Sequence, residues 1–190
     1  SVGYFNDPEV YTIFTVNTVK PYRPRIDSAE TRFRDNLANF GDAILSRRLR
    51  TIVNSGVSPL LQAGASHSTD YELAEEASVL AVATPDRWRE AVTVIEQELR
   101  RATEYGFTQA ELDEQVANFR TMLQSSADQA ATRGTDELSD ALWSSWRSGQ
   151  VFTTPASGLA RFEASADRIT LEAVNAAWRE QWSGAEPLLF

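Results

Sequence analysis

The chain has 190 residues, 42% of them hydrophobic and 24% charged, with no cysteine and a formal net charge of −9. That length fits one domain of ordinary globular composition, and a chain of this size buries roughly 70% of its unfolded surface on folding. The balance excludes disulfides and thiolate chemistry, offers nucleic acid no broad basic surface for displacing counterions, and contains no apolar run near the ~18 residues of a membrane span.

Val10 to Val19 is dense in β-branched and aromatic residues and predicts a strand. Pro21 and Pro24 end it, because proline brings no backbone donor to a ladder. Asp27 to Glu30 has the spacing of a capping box. Phe33, Leu37, Phe40 and Ile44 then recur at spacings of four, three and four, and Leu45, Leu49 and Ile52 carry the stripe onward. The pattern predicts one long helix over about 28–53, stopped by Asn54, Ser55 and Gly56.

Leu60–Ser66 and Ala77–Ala83 predict two strands, joined by a hairpin or longer loop through His67 to Glu76. Pro85 and Asp86 open the next helix, whose stripe is Trp88, Val92, Ile95 and Leu99 before Gly106 ends it. Thr108 and Glu111 form a second capping box ahead of Leu112, Val116, Phe119 and Leu123. A helix over about 136–148 is expected to turn Leu138, Leu142 and Trp146 inward, with Trp143 off the stripe and suited to an interface. A short helix at 157–164 and a last one capped by Thr170, with Leu171, Val174, Trp178 and Trp182 on one face, complete the helices. Pro187 to Phe190 reads as the start of a strand whose partner lies beyond the chain, and the start at Ser1 without Met fits a domain cut from a longer polypeptide. Strands near the start and helices grouped after them predict an α+β fold, an antiparallel or mixed sheet covered by several helices on one face, as a single domain over 1–190.

Catalytic apparatus is hard to assemble from these residues. His67 is the one histidine, whereas a catalytic zinc site usually takes three protein ligands, commonly with two His. A weak metal site of His67 with Asp70, Glu72 or Glu75 competes with His67 as a plain exposed loop residue, and the plain reading is preferred. A serine triad would need the same histidine. Gly64, Gly134 and Gly149 are isolated, so no phosphate loop forms. The acidic residues Asp35, Glu75 with Glu76, and Glu111 with Glu114 fit solvated faces, as does the basic cluster Arg47, Arg48 and Arg50 near a helix C-terminus.

Four stretches, taken in order, resemble the inactive, C-terminal-type domain of pitrilysin/insulinase-family zinc metallopeptidases. They are the helix end Ile44 to Ile52 followed by Gly56, the strand Val79 to Pro85 leading into a helix, Gly106 to Asp113, and Arg168 to Val174. The resemblance covers about 25–190. It implies the processing-peptidase/LuxS-like metallohydrolase fold. It also implies a parent protein in which another domain carries zinc on H-x-x-E-H, while this domain encloses unfolded peptide substrate together with sister domains of the same polypeptide. No catalytic or metal residue is carried over. In the family an Arg, with a Tyr seven residues later, contacts substrate; Arg50 matches the Arg, but Val57 stands where the Tyr is expected, so only Arg50 is carried over as substrate-binding. A cation favoured by the helix dipole is the plain reading of Arg50. The resemblance to long bacterial members points to periplasm or cell envelope rather than cytoplasm. The strands at 60–66 and 77–83 are candidates for a free edge that takes extended peptide. A purely structural subunit or interaction domain with the same fold is the alternative.

Overall fold

The computed structural model describes residues 12–70, 72–183 and 188–189. Strands β1 (Thr12–Pro21), β2 (Leu60–Asp70), β3 (Ala74–Ala83) and β4 (Leu188–Leu189) form one antiparallel sheet in the order β2-β3-β1-β4. β1 runs the full length of β3, from Thr12 opposite Ala83 to Pro21 opposite Ala74. Alternation sets the faces: Phe14 and Thr18 of β1 and Ala77, Val79, Ala81 and Ala83 of β3 point into the core. β2 and β3 are longer than expected and close as a tight hairpin, so residues read as a connecting loop, His67 among them, lie in strand. β4 pairs with β1, with Leu189 opposite Val16, so the strand expected to find its partner beyond the chain finds it inside. The N-terminal two residues of the strand expected at Val10–Val19 lie outside the described residues.

Helix α1 (Ala29–Val53) runs through the centre of the molecule and packs against β2, against α2 (Trp88–Tyr105) and α3 (Gln109–Asp128), and against α5 (Pro155–Ser165) and α6 (Leu171–Gln181). Its 25 residues span about 37 Å. Phe33, Leu37, Phe40, Ile44, Leu45 and Leu49 are all buried, each worth about 1.5–3 kcal/mol of apolar burial. The cap is Ser28, whose Oγ accepts from Thr31 N–H at 3.1 Å. The capping box expected from Asp27 is displaced because Asp27 instead accepts from the Arg32 guanidinium, at 2.6 and 2.5 Å. Gly106, at φ +76°, closes α2, and Thr108 and Glu111 form the expected box for α3.

Phe40, Phe119 and Phe162 pack edge to face in sequence, joining α1, α3 and α5. α6 seats Trp178, fully buried, where a Cβ on Gly41 would stand 2.9 Å from the indole. Helix α4 (Thr135–Arg147) departs from expectation. None of its residues is buried, and Trp146, placed inward by its spacing, is 72% exposed. The segment is helical as its period predicts, but of its stripe only Leu138 is partly covered, while Leu142 and Trp146 stay exposed.

Helices α1 and α2 pack on the sheet, α1 against β2 and α2 against β3. Among the described residues the opposite face is bare: Ile13 is 60% and Leu80 41% exposed, with Val19 and Leu61 also exposed, beside the polar Asn17, Gln62 and Ser78. No described helix is long and apolar enough to cross a membrane.

Candidate functional site

Asp42, Ser46 and Arg50 follow one another at i, i+4 on α1 and so share one side of that helix. The first two of these residues meet β2. Ser46 Oγ accepts from the backbone N–H of Ala65 at 2.9 Å and donates to its carbonyl at 3.2 Å. β2 is an edge strand of the sheet, so at Ala65 the ladder that an added peptide would use is already taken by a side chain. One helical turn earlier, Asp42 Oδ2 lies 2.5 Å from His67 Nδ1, two residues along the same strand. Asp42 is only 7% exposed. The hydrogen bond to Asp42 holds the His67 pKa above its ordinary value against the opposing effect of burial. His67 is therefore a half-buried partner in an ion pair, not the exposed loop histidine expected, because its strand continues past Ser66 and carries the ring over α1.

The basic cluster separates into three roles. Arg48 is not solvated. Its guanidinium grips Glu111 through both carboxylate oxygens, at 2.5 and 2.8 Å, donates to the Gly106 carbonyl and lies over the Phe107 ring. Glu111 also accepts from the Thr108 N–H, so one carboxylate both caps α3 and ties it to α1. The Arg48 guanidinium pulls the Glu111 pKa down to about 2. Arg47 pairs with Glu114 at 3.0 Å on the surface. Arg50 is exposed and makes no ion pair among the described residues. Val57, in the position where the resemblance expects Tyr, is exposed in the turn after α1, and its carbonyl accepts from Arg87 at 3.4 Å.

Of the two strands proposed as free edges, the one at 77–83 is interior, paired on both sides. The strand at 60–66 is an edge, closed at Ala65 by Ser46. Asp42 and Ser46 were not singled out from the sequence. A signal for Asp42 was present: a carboxylate inside the apolar stretch Phe40 to Leu45 needs a buried partner, and the chain has one histidine to offer.

Among the described residues, no three His, Cys, Asp or Glu side chains stand together where they would hold a metal ion. The His67 ring, bonded to Asp42, offers one nitrogen at most. The described residues therefore do not fit a zinc ion.

No protein-family model matches the sequence, and no curated protein sequence matches it. Solved structures do match. The first half of the periplasmic protease PqqL from Escherichia coli superposes at a TM-score of 0.86 with 18% identity, over 97% of this chain and 40% of that one. A protein described as a predicted insulinase family protease from Yersinia pestis gives 0.77 and 18%, over 93% and 38%. A peptidase M16 inactive domain from Pseudomonas fluorescens gives 0.67 and 15%, over 96% and 40%. The chain thus spans less than half the length of each of these chains. Its α+β fold, an antiparallel sheet with helices, is that of insulinase-type (M16) peptidase chains.

Proposed function

We propose that the chain is a non-catalytic, substrate-enclosing domain of a zinc-dependent metalloendopeptidase whose zinc site lies on another domain of the same polypeptide. The observation that carries this reading is the bare face of the sheet. Ile13, Val19, Leu61 and Leu80 are exposed there among Thr15, Asn17, Gln62, Ser66 and Ser78, so an open, strand-built surface of mixed apolar and hydroxyl or amide side chains lies opposite the core. An unfolded peptide exposes both apolar and polar side chains and has no fixed shape to match, so a flat wall of mixed character suits it better than a shaped pocket. The single histidine, bonded to Asp42, fits a partner role and not a hydrolytic one. Arg50, the exposed end of the Asp42–Ser46–Arg50 column, is the substrate contact in this reading. The likeness to a periplasmic protease supports a periplasmic or envelope setting.

A purely structural domain with the same fold is favoured by two observations. Ser46 closes the β2 edge against an added strand, and Val57 replaces the aromatic expected beside Arg50.

Zinc content and peptide hydrolysis, measured on this chain and on the full-length polypeptide, decide between them. Zinc and cleavage in the full-length protein, with neither in this chain, is the expected result. Stoichiometric zinc or cleavage in this chain alone overturns the proposal. Absence of both in the full-length protein selects the structural reading.

A further inference from the structure

Helix α4 is amphipathic yet buries none of its residues, and only Leu138, Ala141 and Ser145 are partly covered. Leu142, Trp143 and Trp146 are 51%, 59% and 72% exposed, and the two indoles stack on each other with centroids 4.9 Å apart. The helix is nevertheless held in place at its C-terminal end. Arg32 donates to the Val151 carbonyl at 2.7 Å and to Thr153 Oγ1 at 3.1 Å, and Val151 N–H donates to Asp27 at 2.8 Å. A large aromatic surface is thus presented on an anchored support, the arrangement that marks an interaction site. Asp136, Glu137 and Asp140 border it toward the helix N-terminus and make no ion pair among the described residues, and Arg147, one turn past Trp143, borders it at the other end.

We propose that this α4 face docks a neighbouring domain of the same polypeptide, through a groove that is apolar at its centre and basic at its rim. The inference rests on the reading that the chain is one domain of a longer protein, and four observations favour that occupant. The unpaired carboxylates ask for a basic rim. Two copies of this chain, each at −9, repel one another. A 13-residue helix offers a face about 20 Å long and about 10 Å wide, far short of the roughly 800 Å² that each partner of a stable free complex buries. A contact that small holds when a linker supplies an effective concentration of about millimolar. Three of the solved chains with this fold are more than twice as long as the part this chain matches.

The test is hydrogen exchange on the full-length polypeptide, comparing wild type with a variant carrying Trp143→Ala and Trp146→Ala. Both side chains are exposed in this domain, so its fold survives their loss; unchanged protection across 29–53 is the control. The expected result is faster exchange, by about tenfold or more, in a basic segment outside residues 1–190. Faster exchange confined to 135–147 overturns the proposal. So does protection of α4 that appears only with added unfolded peptide, which makes the face a peptide contact, or a doubled mass that the variant abolishes, which makes it a self-contact. Peptide hydrolysis on the same samples keeps the two readings apart. Cleavage without coupled exchange overturns the docking alone, and coupled exchange without cleavage overturns the peptidase reading while supporting the docking.

Discussion

The hydroxyl of Ser46 both accepts the N–H and satisfies the carbonyl of Ala65, so a helix side chain stands in for the next strand of the sheet. Edge strands left open invite pairing with other chains. Here the central helix closes the edge at its midpoint, and Asp42 repeats the attachment at His67 one turn away.

Ser46→Ala leaves both Ala65 backbone groups without this partner in a half-buried place. The variant is expected to lose about 1–2 kcal/mol of stability and to exchange the Ala65 amide much faster, with α1 otherwise unchanged. Urea unfolding and amide exchange measure the two effects. Wild-type protection at Ala65 in the variant contradicts the closed edge.

His67 gives the domain a pH dependence with a definite sign. Its folded pKa is raised by the bond to Asp42, aided by Asp35 and opposed by Arg25 and by burial. A raised folded value means that the stabilisation is fully present below the unfolded value of about 6.5 and is lost as pH rises through the folded one. Unfolding midpoints taken from pH 6 upward are therefore expected to fall, and His67→Gln is expected to flatten that fall. An equal slope in the variant shows that another group is responsible.

Much of this architecture was legible in the sequence, because helix and strand periods depend on local geometry. The α1 stripe, the Thr108–Glu111 box and Gly106 as a helix end were all read from spacing and turn chemistry. What was not legible depended on neighbours distant in sequence. Trp146 has the same kind of spacing as Trp178, yet one is exposed and the other fully buried, since only α6 has α1 beside it. Arg47, Arg48 and Arg50 read as one cluster, but 3.6 residues per turn send Arg48 into the Gly106–Glu111 corner and leave Arg50 outside. The small polar residues around His67 have the composition of a loop, and only the pairing with β3 makes them strand.

Acid unfolding should be governed in part by Glu111. Its folded pKa, near 2 because of Arg48, lies below its unfolded value. Its contribution is present above the unfolded carboxylate value of about 4.3 and is lost as pH falls toward 2. Glu111→Gln is expected to destabilise the domain at pH 7 and to reduce the steepness of its acid transition. Circular dichroism between pH 5 and 2 measures this; an acid transition identical to wild type rules Glu111 out as a contributor.

Gly41 allows α1 and α6 to approach. Gly41→Ala places a methyl 2.9 Å from Trp178 Cε3, and that indole is fully buried with Phe107 packed against it. Helix propensity favours alanine by about 1 kcal/mol, but overpacking a filled core costs about 1–3 kcal/mol. The net expectation is destabilisation with a shifted tryptophan fluorescence, which a thermal melt followed by emission will report. A stabilised variant implies that α6 moves away freely.

Arg48 and Arg50 allow structure to be separated from function on one helix. Arg48 is locked to Glu111, whereas Arg50 is exposed without an ion pair among the described residues. Arg48→Ala strands the half-buried Glu111 carboxylate and is expected to lower stability by more than 1 kcal/mol, with any activity loss following the folded fraction. Arg50→Ala removes a surface cation, a change usually within about 0.5 kcal/mol. If Arg50 contacts peptide, the full-length protein carrying Arg50→Ala melts like wild type yet loses kcat/KM for peptide cleavage, a loss that high salt imitates in the wild type because it screens an exposed charge. Arg50→Lys then recovers part of the rate. Unchanged kcat/KM in Arg50→Ala returns this residue to an ordinary cation at a helix C-terminus and leaves the bare sheet face as the remaining candidate for the peptide-facing surface.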